Sequence, residues 1–274
     1  ISPSKYPPLN TIYTLSVILS FMLYIALAVI GTIVVIVVRK QATTINELHT
    51  IDVNGVNLTY LIKGAKNGKP VLLLHGNGGH HGKLKILTNQ LAQAGYLVYA
   101  PDSRGQGANA PLEEYHYIDM AEDMYQMINL LHLGKPVVYG WSDGGIIALQ
   151  MEVIHPGTVS AIVTSGANIF PEDCGDDFLN IDSVREAHKD DPPLFKMMLY
   201  EPNMTAEDMQ TIQCPSLIIS GENDLIYESH TRLIAENIPN GEAMILPGED
   251  HGSYIRHSRK MGRILIPYLK KIGY

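Results

Sequence analysis

The chain has 274 residues, 46% of them hydrophobic, and a formal net charge of −8, so it can bury one substantial core. Its acidic balance and lack of a long basic run exclude a nucleic-acid partner, because phosphates require a basic protein face. Two cysteines, Cys174 and Cys214, are too few for a disulfide framework and lack metal-ligand spacing. We expect two free thiols and no metal site, although a single bridge between the two remains open.

Residues 1–40 contain an uncharged apolar stretch, Thr11 to Val38, flanked by Lys5 and by Arg39-Lys40. A membrane span needs about 20 apolar residues, so this stretch predicts a transmembrane helix and a single-pass membrane location. A secretory signal peptide is the alternative, but its apolar region would be only about 7 to 15 residues long. One basic residue before the stretch and two after it favour a catalytic domain on the cytoplasmic side.

Residues 41–274 alternate short β-rich runs with helical patterns, which predicts an α/β fold with a mostly parallel sheet and helices on both faces. Asn54-Gly55 suits a type I′ turn, so the first two runs are expected to form an antiparallel ribbon. The predicted strands are Thr50–Val53, Val56–Ile62, Val71–Leu74, Leu97–Ala100, Val137–Tyr139, Ala161–Thr164, Leu217–Ser220 and Ala243–Leu246. The predicted helices are Ile118–Leu131, Gly144–Ile154, Glu228–Asn237 and Ser253–Ile272.

One connection in this pattern, from Gly166 to Pro215, is far longer than the roughly two to six residues usual for such loops. It mixes acidic residues with apolar ones such as Phe170 and Phe195, which favours short helices laid over the mouth of a pocket. We therefore predict a small cap insertion at about residues 166–214. A surface insertion without a role fits the same pattern.

The strongest chemical signal is Gly140-Trp141-Ser142-Asp143-Gly144-Gly145, which follows a predicted strand and precedes a predicted helix. In the G-x-S-x-G motif, the serine lies on a tight strand-to-helix turn, and small neighbours let strand and helix approach each other. The turn exposes the hydroxyl at a helix N-terminus, where partial positive charge favours an oxyanion. The motif predicts that Ser142 is a nucleophile.

A serine nucleophile needs a base and an acid, and in this arrangement they follow it in the order acid, then histidine. Asp224 ends Gly221-Glu222-Asn223-Asp224 after one predicted strand, and His251 lies in a glycine-flanked loop after the next. Because the carboxyl ends of parallel strands share one sheet edge, Ser142, Asp224 and His251 are expected to meet there. Glu222 is the alternative acid, and Asp224 is alternatively a helix cap.

A glycine-rich loop, His75-Gly76-Asn77-Gly78-Gly79, follows the strand Val71–Leu74. We predict that the backbone N–H groups of Asn77 and Asp143 form the oxyanion hole, with His75 in a structural role beside it. The same loop begins like a dinucleotide-binding fingerprint, with Asp102 as its acidic residue, but the position of the third glycine holds His81. We therefore expect no cofactor.

Taken in order, these motifs resemble those of bacterial α/β hydrolases over about residues 50 to 272. The motifs are His75-Gly76-Asn77-Gly78, Asp102-Ser103-Arg104-Gly105-Gln106-Gly107, the Ser142 motif, Gly221-Glu222-Asn223-Asp224 and the His251 loop. Ala108 departs from the serine that other members have there, without touching the Ser142, Asp224 and His251 set. The resemblance implies the α/β-hydrolase fold and a serine hydrolase of the carboxylesterase type.

Within that fold, the nucleophile motif and Gly166-Ala167-Asn168 are similar to those of valacyclovir hydrolase-like esterases, which act on amino-acid esters. This closer likeness implies that the Asp143 side chain binds a substrate ammonium group. Asp143 in the first helical turn alternatively only complements the helix dipole. Trp141 and Gly76 are further candidates for substrate contact.

The resemblance implies a two-step acyl transfer on a small-molecule ester, without metal or organic cofactor. Similar triads also cleave C–C bonds, thioesters or amides, or perform lyase steps, so these reactions remain alternatives. A ligand-binding protein that keeps the fold without turnover is the alternative from another class. The sequence does not predict the oligomeric state.

Overall fold

A computed structural model describes residues 18–33, 44–173 and 181–274. The chain divides into two compact units, residues 1–44 and residues 45–274. The second unit contains every residue to which the motifs assign chemistry.

The first unit contains one described helix, α1, at residues 18–33. Among the described residues, no helix is both long and apolar enough to cross a membrane. This finding contradicts the predicted transmembrane helix and single-pass membrane location. The other residues of the predicted span, 11–17 and 34–38, lie outside the described part of the chain.

In the second unit, one sheet has the strand order β1-β2-β4-β3-β5-β6-β7-β8. The strands are β1 (Thr44–Val53), β2 (Val56–Ala65), β3 (Pro70–Leu74), β4 (Leu97–Pro101), β5 (Val137–Trp141), β6 (Ala161–Ser165), β7 (Ser216–Asn223) and β8 (Gly241–Asp250). The pairing of β2 with β4 is antiparallel, and the pairings from β4 to β8 are parallel. The predicted α/β fold with a mostly parallel sheet is confirmed. Asn54 and Gly55 both have positive φ, as a type I′ turn requires.

Helices connect the strands. They are α2 (Lys85–Gln93), α3 (Tyr117–Leu130), α4 (Asp143–Ile154), α5 (Ile181–Ala187), α6 (Pro193–Tyr200), α7 (Ala206–Met209), α8 (Glu228–Asn237) and α9 (Lys260–Lys271). The predicted helix Ser253–Ile272 starts seven residues too early. The residues just before α9 form turns instead. His257 has a φ of 54°, which a right-handed helix cannot contain, and the Ser258 hydroxyl accepts the Lys260 N–H.

The sheet separates two apolar cores, because alternate side chains of a strand point to opposite faces. Leu72 and Val138 lie in one core, whereas Leu73 and Tyr139 lie in the other, and all four are at most 1% exposed. Burial of each such side chain contributes about 1.5–3 kcal/mol. The two cores hold the sheet rigid, so the residues at its carboxyl edge have fixed positions.

The segment between β6 and β7 forms the short helices α5, α6 and α7, as predicted for the cap. Glu201, just after α6, anchors it to the start of α3, where its carboxylate accepts the Tyr117 N–H at 2.9 Å and bonds His116 Nδ1 at 2.6 Å. Cys214 is a free thiol, and Cys174 lies outside the described residues.

Candidate active site

Ser142 lies at the tight turn between β5 and α4, with φ 55° and ψ −122°. Left-handed backbone is costly for a residue with a Cβ, so the surrounding packing must hold it. A Cβ on Gly140 would overlap the carbonyl of Gly144, and one on Gly144 would overlap the carbonyl of Leu74. The two glycines of the motif therefore let β5, α4 and β3 approach closely enough to form the turn.

The structure brings Ser142, Asp224 and His251 together, each as the first residue after its strand, β5, β7 and β8 respectively. His251 Nε2 lies 3.1 Å from Ser142 Oγ, and His251 Nδ1 lies 2.6 Å from Asp224 Oδ1. Both distances suit hydrogen bonds in which the hydroxyl donates to Nε2 and the Nδ1–H donates to the carboxylate. The arrangement can remove a proton from the Ser142 hydroxyl.

The Asp224 side chain is fully buried and fixed by the backbone. Its Oδ2 accepts the N–H of Gly221 at 3.0 Å and its Oδ1 accepts that of Ile226 at 3.2 Å. Glu222, the alternative acid, is exposed, and its Oε2 accepts the Gly248 N–H at 2.7 Å instead. Only Asp224 of the two contacts the imidazole.

Gly166, the first residue after β6, contacts the His251 ring, a role that the sequence analysis did not assign to it. A Cβ at Gly166 would lie 2.7 Å from both Cε1 and Nδ1 of His251, and the residue has a φ of 62°. From the other side, the Trp141 indole N–H donates to the His251 carbonyl at 2.9 Å. The position of Gly166 directly after β6, like those of Ser142, Asp224 and His251 after their strands, is the signal that could have identified it.

The glycine-rich loop after β3 lies against the nucleophile. A Cβ on Gly76 would lie 3.0 Å from the Ser142 Cβ, so only glycine lets the loop approach so closely. The Asn77 side-chain amide donates to Asp143 Oδ2 at 2.9 Å and to the Leu194 carbonyl of α6 at 3.2 Å. Asn77 therefore ties the loop to both the nucleophile turn and the cap.

The Asp143 side chain is buried and is not presented to solvent, since the residue is only 2% exposed. It bonds the Asn77 amide and the Tyr117 hydroxyl. Burial raises the pKa of Asp143 to about 6, although both hydrogen bonds and the nearby His251 oppose the shift.

His75 and Asp102, which the sequence placed beside the loop, make only internal contacts. His75 Nε2 accepts the Ser103 N–H at 3.0 Å, and burial lowers the pKa of this imidazole. The Asp102 carboxylate accepts the N–H groups of His81 at 2.6 Å and Ala108 at 2.9 Å. These contacts agree with the structural role predicted for His75, and the Asp102 carboxylate is bonded to the backbone of its own chain.

A cavity of about 310 Å³ opens over Ser142. It is lined by Gly76, Asn77, Gly78, Gly79, Lys83, Trp141, Ser142, Met198, Leu225, His251 and Arg256. No sequence motif marks the two basic residues of this lining, Lys83 and Arg256. Elsewhere in the described residues, no group of three or more His, Cys, Asp or Glu residues is placed to hold a metal ion.

Comparisons with known proteins agree with this geometry. A family profile described as alpha/beta hydrolase fold matches residues 69–201. Human serine hydrolase BPHL is 26% identical over 80% of this chain and 85% of its own length. The chain has the α/β-hydrolase fold, and its sequence resembles the α/β-hydrolase family over residues 69–201. Like its relatives in that family, it is a hydrolase.

Other α/β-hydrolase relatives and structures support the same assignment. The AB hydrolase superfamily protein YisY of Bacillus subtilis is 31% identical over 37% of this chain and 38% of its own. A thermophilic esterase from Thermogutta terrifontis superposes with a TM-score of 0.65 at 20% identity, over 84% of this chain and 98% of that one. Est816, described as an N-acyl homoserine lactone degrading enzyme, gives a TM-score of 0.67 at 22% identity, over 80% and 100%. These two structures show the shared fold.

Proposed function

We propose that this α/β hydrolase is a serine hydrolase that cleaves carboxylic esters through an acyl-enzyme on Ser142. The observation that carries the proposal is the 3.1 Å contact between His251 Nε2 and Ser142 Oγ, continued by the 2.6 Å contact between His251 Nδ1 and Asp224. A hydroxyl is a weak nucleophile, and a neighbouring imidazole held in one tautomer makes it effective.

In the first step, Ser142 Oγ attacks the ester carbonyl carbon while His251 Nε2 takes the hydroxyl proton. Asp224 stabilises the imidazolium. His251 then gives the proton to the leaving alkoxide, so that an alcohol departs and the acyl group stays on Ser142. In the second step, His251 takes a proton from water as the oxygen attacks the acyl carbon. The bond to Ser142 Oγ then breaks, His251 returns the proton to that oxygen, and the acid is released.

The negative charge that develops on the carbonyl oxygen is stabilised by the backbone N–H groups of Asn77 and Asp143. The loop position set by Gly76 and the start of α4 at Asp143 support this assignment. Donors fixed before the reaction stabilise the oxyanion without reorganisation, which is worth about 100- to 1,000-fold in kcat for each donor.

Under this proposal, the side chain of Asp143 positions Asn77 and does not bind a substrate ammonium group. Its carboxyl is already bonded to the Asn77 amide and the Tyr117 hydroxyl, and the residue is 2% exposed. Trp141 and Gly76 line the cavity over Ser142 and contact the substrate there. Relatives named as a serine hydrolase and an esterase support an ester as the substrate class.

The test is hydrolysis of short-chain esters by the purified protein and by Ser142→Ala, His251→Asn and Asp224→Asn. Loss of the nucleophile or the base should lower kcat by at least about 10,000-fold, whereas loss of the acid should cost somewhat less. Ser160→Ala is the matched control and should keep full activity. Ser160 directly precedes β6, at the edge of the sheet opposite to the proposed site. Equal activity of Ser142→Ala and the parent protein contradicts the proposal.

The same panel includes thioesters and C–C bond substrates. If the protein turns over only thioesters or C–C bond substrates, and Ser142→Ala abolishes that activity, Ser142 is still the nucleophile but the substrate is not an ester. A folded protein that turns over none of the substrates contradicts the proposed hydrolysis.

A further inference from the structure

Two basic side chains, Lys83 and Arg256, line the cavity over Ser142. They reach it from different parts of the chain, since Lys83 lies just before α2 and Arg256 lies between β8 and α9. No acidic residue is among the described residues that line this cavity. The wall around the proposed nucleophile is therefore positive, although the whole chain carries a net charge of −8.

Arg256 is held in place by the residues around it. Its guanidinium carbon lies 5.1 Å from the centre of the Trp141 ring, within the range of a cation–π contact. Its side chain crosses Gly252, where a Cβ would lie 2.8 Å from one guanidinium nitrogen. Trp141 in turn holds the His251 carbonyl through its indole N–H. The exposed guanidinium therefore lies over the indole that bonds His251, and Arg256 and His251 line the same cavity.

The two cations have no anionic partner within the described part of the chain, where no carboxylate forms an ion pair with Lys83 or Arg256. The nearby carboxylates are engaged elsewhere. Asp250 accepts the N–H groups of Gly252 and Ser253, both at 2.8 Å. Arg256 acts on Asp250 only through electrostatic attraction, which helps to lower the pKa of Asp250. Glu249 binds Lys260. Lys83 and Arg256 are therefore available to bind an anionic ligand in the cavity.

We propose that Lys83 and Arg256 form an anion-binding subsite of the active site, and that the preferred substrate is a small ester that carries a carboxylate. This inference rests on the proposed ester hydrolysis at Ser142. The carboxylate binds Arg256, whose planar fork matches it, and Lys83 adds a second positive charge. The hydrocarbon between carboxylate and ester packs against Met198 and Leu225.

The same charges disfavour a cationic substrate. An ammonium group in this cavity would meet Lys83 and Arg256 without a facing carboxylate, since the Asp143 carboxyl is buried and bonded. The subsite therefore predicts the order anionic, then neutral, then cationic among esters of equal length.

The experiment compares kcat/KM for three methyl esters of similar size: monomethyl adipate, methyl hexanoate and methyl 6-aminohexanoate. We expect monomethyl adipate to be preferred over methyl hexanoate by about tenfold at low salt, the effect of two partly exposed charge contacts. The ratio should fall toward one at high ionic strength and in the double variant Lys83→Gln/Arg256→Gln. Arg256→Lys should keep part of the preference, because it keeps the charge.

Two variants control for a general loss of positive charge. Lys66→Gln changes an exposed lysine between β2 and β3, and Arg263→Gln changes an exposed arginine of α9 away from the cavity. Both should leave the ratio unchanged. The subsite is overturned if kcat/KM of the parent protein for monomethyl adipate does not exceed that for methyl hexanoate. It is also overturned if the ratio of the two values is unchanged in the double variant.

Calorimetric binding to the Ser142→Ala variant tests the subsite without turnover. Monomethyl adipate should bind more tightly than methyl hexanoate, and Lys83→Gln/Arg256→Gln in that background should remove the difference. Binding without this difference overturns the subsite even if esters are cleaved. A clear difference in a protein that cleaves no ester supports the subsite and contradicts the proposed hydrolysis, so the two failures are distinguishable.

Discussion

The proposed chemistry depends on how a few residues hold the His251 ring. Asp224 bonds its Nδ1, Trp141 bonds its backbone carbonyl, and Gly166 lies against the ring edge. A displacement of about 1 Å in such a site can cost about 100-fold in rate. The contact at Gly166 is the easiest of the three to test, because a single added methyl group would overlap the His251 ring.

Gly166→Ala should lower kcat by about 100-fold, because its Cβ would lie 2.7 Å from the His251 ring. Gly248→Ala is the matched control: Gly248 also has positive φ, at 70°, but a Cβ there meets no atom within 4 Å. Both variants should lose about 1 kcal/mol of stability from backbone strain, measured by urea unfolding. Equal activity of the two variants contradicts the role of Gly166.

Asp143→Asn should change how stability depends on pH. Burial raises the pKa of Asp143 to about 6 in the folded protein, from about 3.9 for an unperturbed aspartate, so the folded state binds the proton more tightly. Stability from this group is full below pH 4 and is lost as the pH rises to about 6, by up to about 3 kcal/mol. The unfolding free energy of Asp143→Asn minus that of the parent protein should therefore rise between pH 4 and about pH 6 and stay constant above that.

The measurement is urea unfolding of both proteins at pH 4, 5, 6 and 7. Asp182→Asn is the control, since the Asp182 side chain is 91% exposed, and its difference from the parent protein should stay constant. A constant difference for Asp143→Asn as well would show that its carboxyl ionises normally.

Sequence motifs predicted the residues whose chemistry depends on position along the chain. Ser142, Asp224 and His251 each follow a strand directly, and the parallel sheet turns that local signal into a shared location. Lys83 and Arg256 were not predicted, because their contacts with the cavity depend on loop conformations that carry no motif. The buried state of the Asp143 carboxyl was equally hidden, since it depends on Asn77 and Tyr117 across the fold.

Among the elements, each strand that the structure describes was predicted, but β1 and β8 extend well beyond their predicted apolar runs. Helix α8 matches its predicted bounds, Glu228–Asn237. Helix α2 was not predicted; its nine residues, KILTNQLAQ, bury only Leu87, Thr88 and Leu91. The start of α9 was wrong because backbone conformation at His257 overrides the helical pattern.

The cap is an element whose attachment is testable. Glu201→Ala removes the carboxylate that accepts the Tyr117 N–H at the start of α3 and bonds His116, so it should cost about 1–2 kcal/mol. Glu186→Ala, on the exposed side of α5, should cost less than about 0.5 kcal/mol in the same urea unfolding experiment. Similar costs for both variants would mean that Glu201 does not anchor the cap.

At the scale of the whole molecule, the sheet and the complete proposed site belong to the unit of residues 45–274. A protein that starts at residue 42 retains all of β1 and should keep the ester hydrolysis and the melting temperature of the full chain. The two properties are compared by a kinetic assay and by thermal unfolding. Loss of the cooperative transition in the shorter protein would show that the first unit is needed for folding.

Apolar composition alone predicted the wrong outcome for the first unit. The stretch Thr11–Val38 has enough apolar residues for a span, but the described helix covers only residues 18–33. A count of apolar residues gives the length that a helix could have and does not establish that a helix of that length forms.

The most direct test of the account is covalent labelling by a fluorophosphonate, followed by peptide mapping with mass spectrometry. The probe reacts with a serine hydroxyl only where a neighbouring base activates it. We expect one adduct, on Ser142, that is lost in Ser142→Ala and strongly slowed in His251→Asn. An unlabelled but folded protein, or an adduct on another serine, would contradict it.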